Sequence, residues 1–118
     1  DAELETTFII LPNNFKNFDT YLDLVDKAEE LIALHNYEGI YQIASFHPYY
    51  CFDGAAESDA ANYTNRSPYP MLHILREASI EKALRTYKDT GGIPEKNVAL
   101  TRQKGLQYMQ ALRAACFE

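Results

Sequence analysis

No run of apolar residues approaches the roughly 20 that a membrane-spanning helix needs, and no charged-then-apolar leader opens the chain. The expectation is a cytoplasmic protein with no membrane partner. Like charges never gather into a block and the net charge is −6. The basic footprint of a nucleic-acid binder is therefore missing, and no nucleic-acid partner is expected. Cysteine is scarce: Cys51 and Cys116 lie far apart, form no metal-type pair and read as two reduced thiols. Internal repeats and low-complexity tracts are absent as well. No metal ligand set is assigned, because no histidines or carboxylates stand at a diagnostic spacing, and the sequence names no cofactor.

What is present fits a globular chain. A hydrophobic fraction of 47% over 118 residues suits one domain that buries roughly two-thirds of its unfolded surface. The acidic balance argues mainly for solubility. "TTFIILP", from Thr6 to Pro12, is β-branched and apolar and predicts a buried strand closed by proline. Asp19 can cap a helix through about Asn36, with Leu24, Ala28, Leu31 and His35 at helical spacing. Gly39 ends that excursion, and "IYQIASF", Ile40 to Phe46, predicts a second strand. Strand, helix and strand make a βαβ unit, which predicts a small, mostly parallel sheet. Two strands cannot stand alone, so further strands must come from a partner or from a preceding segment. The first residue is Asp1 and not Met, which reads as a processed chain or a fragment.

From His47 to Pro70 no period is sustained, yet Tyr49, Tyr50, Phe52, Tyr63 and Tyr69 demand burial, so a functional loop is expected. Pro70 suits the first turn of a helix, predicted to pause near Ser79 and reach about Tyr87. "KDTGGIP" breaks the chain, and a last helix is predicted from about Glu95 to Cys116. The fold class expected is α/β (or α+β), helical in its C-terminal half.

The polar residues gather around the predicted strand end and helix mouth. His47 follows the second strand directly, where ligands collect in parallel sheets, and an imidazole there suits a base, an acid, a metal ligand or a clamp on the loop. Asn65, Arg66 and Ser67 approach the mouth of the predicted helix, where unpaired N–H groups and a guanidinium would hold phosphate or carboxylate, or where the side chains merely cap. His73, Arg76 and Glu77 would share one helix face. Cys51 beside His47 invites a nucleophile reading, although a thiol between Tyr50 and Phe52 reads more simply as packed.

"YQIASFHPYYCF" followed by "NYTNRSPYPMLHILREASIEKAL" closely resembles the signature of an uncharacterised bacterial family, domain of unknown function 1415. The pattern runs FHP-x-Y-x-F, then N-x-TNRSPYP-x-LH-x-LRE-x-S. The resemblance spans Thr7 to at least Asn97 and brings no activity. Cys51 falls at an unfixed position. The resemblance also implies that family members begin earlier, with a Cys-Pro-Phe segment and another strand–helix unit, making this chain the C-terminal part of a longer domain.

Three functions remain open. The first is a small enzyme acting on an anionic metabolite, with His47 and His73 as acid and base, Glu77 supporting, and Asn62, Asn65, Arg66, Ser67, Arg76 and Tyr50 binding. The second is a non-catalytic module that binds an anion or other ligand. The third is a structural or oligomerisation domain. A homo-oligomer, or pairing with the preceding segment, is expected in each case.

Overall fold

A computed structural model describes residues 6–85 and 92–117. Its elements run β1 (Thr6–Ile10), α1 (Phe18–Leu34), β2 (Tyr41–Phe46), a short 3₁₀ turn (Ala60–Thr64), β3 (Met71–Arg76), α2 (Glu77–Leu84), α3 (Ile93–Lys104) and α4 (Leu106–Ala115).

The strands form one sheet in the order β1-β3-β2, and both neighbours run antiparallel to β3. The mostly parallel sheet expected from the sequence is thereby corrected: the class is α+β. β1 and β2 do point the same way, as a strand–helix–strand crossover requires, but they are not neighbours. The crossover leaves one strand's width between them, and β3 returns to fill it, giving a split βαβ arrangement. The helix expected to start at Pro70 is β3 instead. "MLHILR" is six residues long, bounded by Pro70 and the helix-starting Glu77, and its pairing with strands on both sides outweighs a local helix start.

α1 begins one residue earlier than its expected cap. Asn17, not Asp19, accepts the free Thr20 N–H at 3.1 Å. The helix turns Tyr21, Leu24, Val25, Ala28 and Ile32 toward the sheet, while Leu31 and His35 stay exposed. Tyr21 is fully buried; its hydroxyl donates to the Met71 carbonyl at 2.6 Å and accepts from the Phe46 N–H at 2.9 Å. One phenol thus fastens α1 to the ends of β2 and β3. Burial pushes its pKa up to about 12.

The C-terminal helix expected as one piece is two. Gly105, at φ 88° and ψ 162°, takes a conformation that other residues adopt at a cost, and α3 turns into α4 there. α3 packs on the 3₁₀ turn, and Arg102 pairs with Asp59, which caps that turn, at 2.9 Å. α4 sends Arg113 to the carbonyls of Ser67 and Pro68. The expected continuation of the preceding helix to Tyr87, and part of the "KDTGGIP" break, lie outside the described residues. No helix among the described residues is long and apolar enough to cross a membrane.

The core is not centred on the sheet. The largest fully buried side chains are Tyr21, His47 and Asn62. All five β1 residues are exposed, which corrects the buried strand expected there, and two of the three side chains just named, His47 and Asn62, belong to the loop between β2 and β3.

Candidate functional site

Two features compete for the role of functional site: the polar loop that carries the sequence signature, and a groove between α1 and the sheet.

In the loop, His47 leaves β2 with its ring completely buried among Phe18, Tyr21 and Tyr49. Its Nδ1 accepts the Tyr49 N–H at 3.0 Å, which makes Nε2 the protonated nitrogen, and Nε2 donates to the Phe15 carbonyl at 2.8 Å. Phe15 sits at φ +61°, a conformation that costs roughly 1–3 kcal/mol outside glycine. The imidazole holds that turn in place. Burial, assisted by the positive charge of Arg113, pushes the His47 pKa below its ordinary value.

Asn62 does for the loop what His47 does for the turn. Its Oδ1 accepts the Phe52 N–H at 2.9 Å, and its Nδ2 donates to the Ala56 carbonyl at 2.8 Å and, at longer range, to the Glu57 carbonyl and the Cys51 sulfur. Asn65 donates to the Ser45 carbonyl at 2.9 Å, and its own carbonyl accepts the His47 N–H. Arg66 donates from Nε to the Tyr50 carbonyl at 2.8 Å and from Nη2 to the Glu57 carbonyl at 3.0 Å, with its plane over the Tyr63 ring. Ser67 is buried, and its hydroxyl donates to the Tyr69 carbonyl. The Tyr50 ring packs against Phe18 and Phe52. The Cys51 thiol donates to the Ala55 carbonyl, a packed thiol's contact. Among the described residues, no buried side-chain nitrogen or oxygen lacks a partner.

The helix mouth proposed from the sequence is corrected here. Asn65, Arg66 and Ser67 lead into a strand whose N–H groups are paired on both sides, so no helix terminus stands there to attract an anion.

His73 lies elsewhere. On β3 it alternates with Leu72 and Ile74, which face α1. Its ring therefore stands on the opposite face, stacked on Phe8 at 4.0 Å, near Phe46 and hydrogen-bonded to Thr6. Burial lowers its pKa as well. His47 packs on α1 and His73 on the far side of the sheet, so the two rings share no cleft. Glu77 starts α2 with its N–H on the Ile40 carbonyl and lines a shallow pocket with Glu29 and Glu38. Arg76 is carried to the α1 side of the sheet, its guanidinium 5.2 Å over the Tyr41 ring.

The groove is what sequence reasoning missed. It runs along β1 and β3 beneath α1, holds about 400 Å³, and is lined by Thr7, Ile9, Leu72, Ile74 and Ile43 from the sheet and Ala28, Leu31 and Ile32 from the helix. Tyr37, Tyr41 and Arg76 stand at one end, because the register places Arg76 opposite Tyr41; Ile9 and Leu72 stand toward the other. The groove is therefore amphipathic along its length. No sequence signal marks the groove, because it depends on where α1 lies over the sheet and on the register of β3. Among the described residues, no group of three or more His, Cys, Asp or Glu side chains is arranged to hold a metal.

The family model described as "Protein of unknown function (DUF1415)" matches residues 1–111. No curated protein and no solved structure matches the chain.

Proposed function

Because the chain belongs to the protein family of unknown function DUF1415, membership carries no activity, and from the geometry we propose a cytoplasmic, non-catalytic binding module for a small amphipathic anion. The guest is an apolar body ending in a carboxylate. One observation carries this reading: the groove under α1 grades from apolar side chains to Arg76, Tyr37 and Tyr41. Its volume falls within the roughly 300–1,000 Å³ of small-ligand sites.

Arg76 keeps the anion-holding part that the sequence reading gave it, on a strand and not on a helix. The carboxylates of Glu29, Glu38 and Glu77 pull the other way, but they line the neighbouring pocket and not the groove. A planar guanidinium carries five N–H donors, so it can hold a guest carboxylate alongside the contacts it already makes. The enzyme reading loses support because it needs two titratable groups at one point. The ring nitrogens of His47 already hold backbone groups, and His73 faces away.

Decanoate and decanol, titrated by calorimetry, test this. Both should bind, decanoate more tightly. Arg76→Gln should weaken decanoate roughly tenfold, the worth of one charge-assisted contact, and leave decanol within about twofold. Leu31→Glu should weaken both. Failure of decanoate to bind, or equal loss of both guests in Arg76→Gln, would contradict the reading.

A further inference from the structure

We infer that the groove under α1 measures its guest: it takes straight-chain carboxylates of about eight to twelve carbons and stops longer ones against Tyr21. This length limit deepens the carboxylate-binding reading of the groove and rests on it.

The two ends of the slot are fixed by different residues. At one end Arg76 stands opposite Tyr41 in the register, its guanidinium 5.2 Å over that ring, with Tyr37 beside them. The guest carboxylate is held there. At the other end the slot is lined by Leu72 and its partner Ile9. One residue before Leu72, Tyr21 crosses from α1 to the sheet. Its hydroxyl donates to the Met71 carbonyl at 2.6 Å and accepts the Phe46 N–H at 2.9 Å, and the whole side chain is buried. The ring also packs against Phe18 and His47. A phenol tied at its tip and held on its flanks does not swing aside for a methyl group without losing both hydrogen bonds.

Strand and helix agree on the length between these ends. Leu72 and Arg76 lie four residues apart on β3, roughly 13 Å at the rise of a strand. Along α1, Tyr21 and Ile32 lie about three turns apart, a rise of about 16 Å that includes the thickness of the phenol. An extended backbone covers about 1.1–1.2 Å per bond, and an extended alkyl chain follows a similar zigzag. About eleven bonds would reach from end to end, and fewer once the Arg76 contact and the Leu72 side chain take their share.

Ala28 decides what passes between the ends. It is the smallest side chain among the described residues of the slot, one turn before Ile32 and two turns after Tyr21. Across from it the register sets Thr7, Ile74 and Ile43 in one row over the three strands. A large side chain at this point on α1 would fill the space over that row and divide the slot in two. From this row to Leu72 the described lining carries no charged side chain, so each methylene that reaches it leaves water for apolar neighbours.

Calorimetric titration of the straight-chain acids from hexanoate to tetradecanoate, each below its micelle-forming concentration, tests the length limit. Affinity should rise about fourfold for each added CH₂ as far as decanoate or dodecanoate, and should rise no further to tetradecanoate. Ala28→Phe should end the rise near hexanoate and weaken decanoate by roughly tenfold or more. Ala28→Leu should shorten the rise to a lesser degree, which keeps the test alive if Ala28→Phe fails to fold. Two results would overturn the length limit while leaving the groove a carboxylate site. One is a rise that continues undiminished to tetradecanoate; the other is a series that both Ala28 variants leave unchanged. Absence of binding at every chain length would overturn the carboxylate reading itself, and the length limit with it.

Discussion

Asn62→Leu should lower the thermal midpoint by more than 10 °C or abolish a cooperative melt, since it keeps the branched shape but none of the polar atoms of a fully buried side chain. The substitution leaves the Phe52 N–H and the Ala56 carbonyl in a buried loop with nothing to bind. Each such group costs roughly 1–3 kcal/mol, so the pair removes a large part of the roughly 5–15 kcal/mol that holds a domain of this size together. At about 4–8 °C per kcal/mol the shift is easily read by differential scanning calorimetry. Arg66→Ala should act in the same direction, since it frees the Tyr50 and Glu57 carbonyls and removes the plane over Tyr63. Had Arg66 been a ligand-holding arm, its loss would spare the fold. Unchanged melting in both variants would return the signature loop to the status of a binding surface.

Stability should also fall as the pH drops below about 6.5, and His47 should be the main cause. Its folded pKa lies below the ordinary 6.5, through burial first. Between those two values the unfolded chain binds more protons than the folded one, so stability rises with pH across the window. It is fully present above 6.5 and is lost as the pH falls toward the folded value. Protonation puts a donor on Nδ1, where the Tyr49 N–H now binds, and brings a second positive charge near Arg113. The neighbouring Tyr21 and Tyr49 offer no negative charge to compensate.

His73, lowered by burial too, adds a smaller slope of the same sign. His47→Asn keeps an acceptor near the Tyr49 N–H and loses the bond to Phe15. It should be less stable than the unaltered chain at pH 8, and the urea midpoints of the two should converge as the pH falls to 5. Parallel curves would place the acid-sensitive group elsewhere.

Much of the scaffold was legible before the structure. Thr6 to Pro12 and Ile40 to Phe46 read as strands and Asp19 to Asn36 as a helix, and the observed elements lie within one or two residues of those bounds. β3 was not legible for a physical reason. A central strand flanked on both sides can be apolar on both faces, so "MLHILR" lacks the alternation that marks a half-buried strand, and Pro70 fits a strand start as well as a helix start. That one error carried the rest: it turned Asn65, Arg66 and Ser67 into a helix mouth and put His73, Arg76 and Glu77 on one helix face. In a strand, alternate residues part, so His73 goes to one side with Phe8 and Arg76 to the other with Tyr41.

From the sequence, the stretch from His47 to Pro70 reads as a functional loop whose aromatics demand burial. What a single sequence hides is that the loop's carbonyls and N–H groups supply the partners. His47, Asn62 and Arg66 hydrogen-bond mostly to backbone, and backbone leaves no mark in the residue pattern. The groove was hidden for a related reason: Leu31, Ile74 and Arg76 meet there only through the position of α1 and the register of β3.

The most direct test of whether recognition belongs to the groove or to the signature loop is amide chemical-shift mapping of the labelled chain during a decanoate titration. Saturable shifts should gather at Thr7, Ile9, Leu31, Ile74 and Arg76, with His47, Asn62, Asn65 and Arg66 unmoved. Shifts centred on His47 and the Asn62 to Ser67 segment, with the groove residues unmoved, would contradict it.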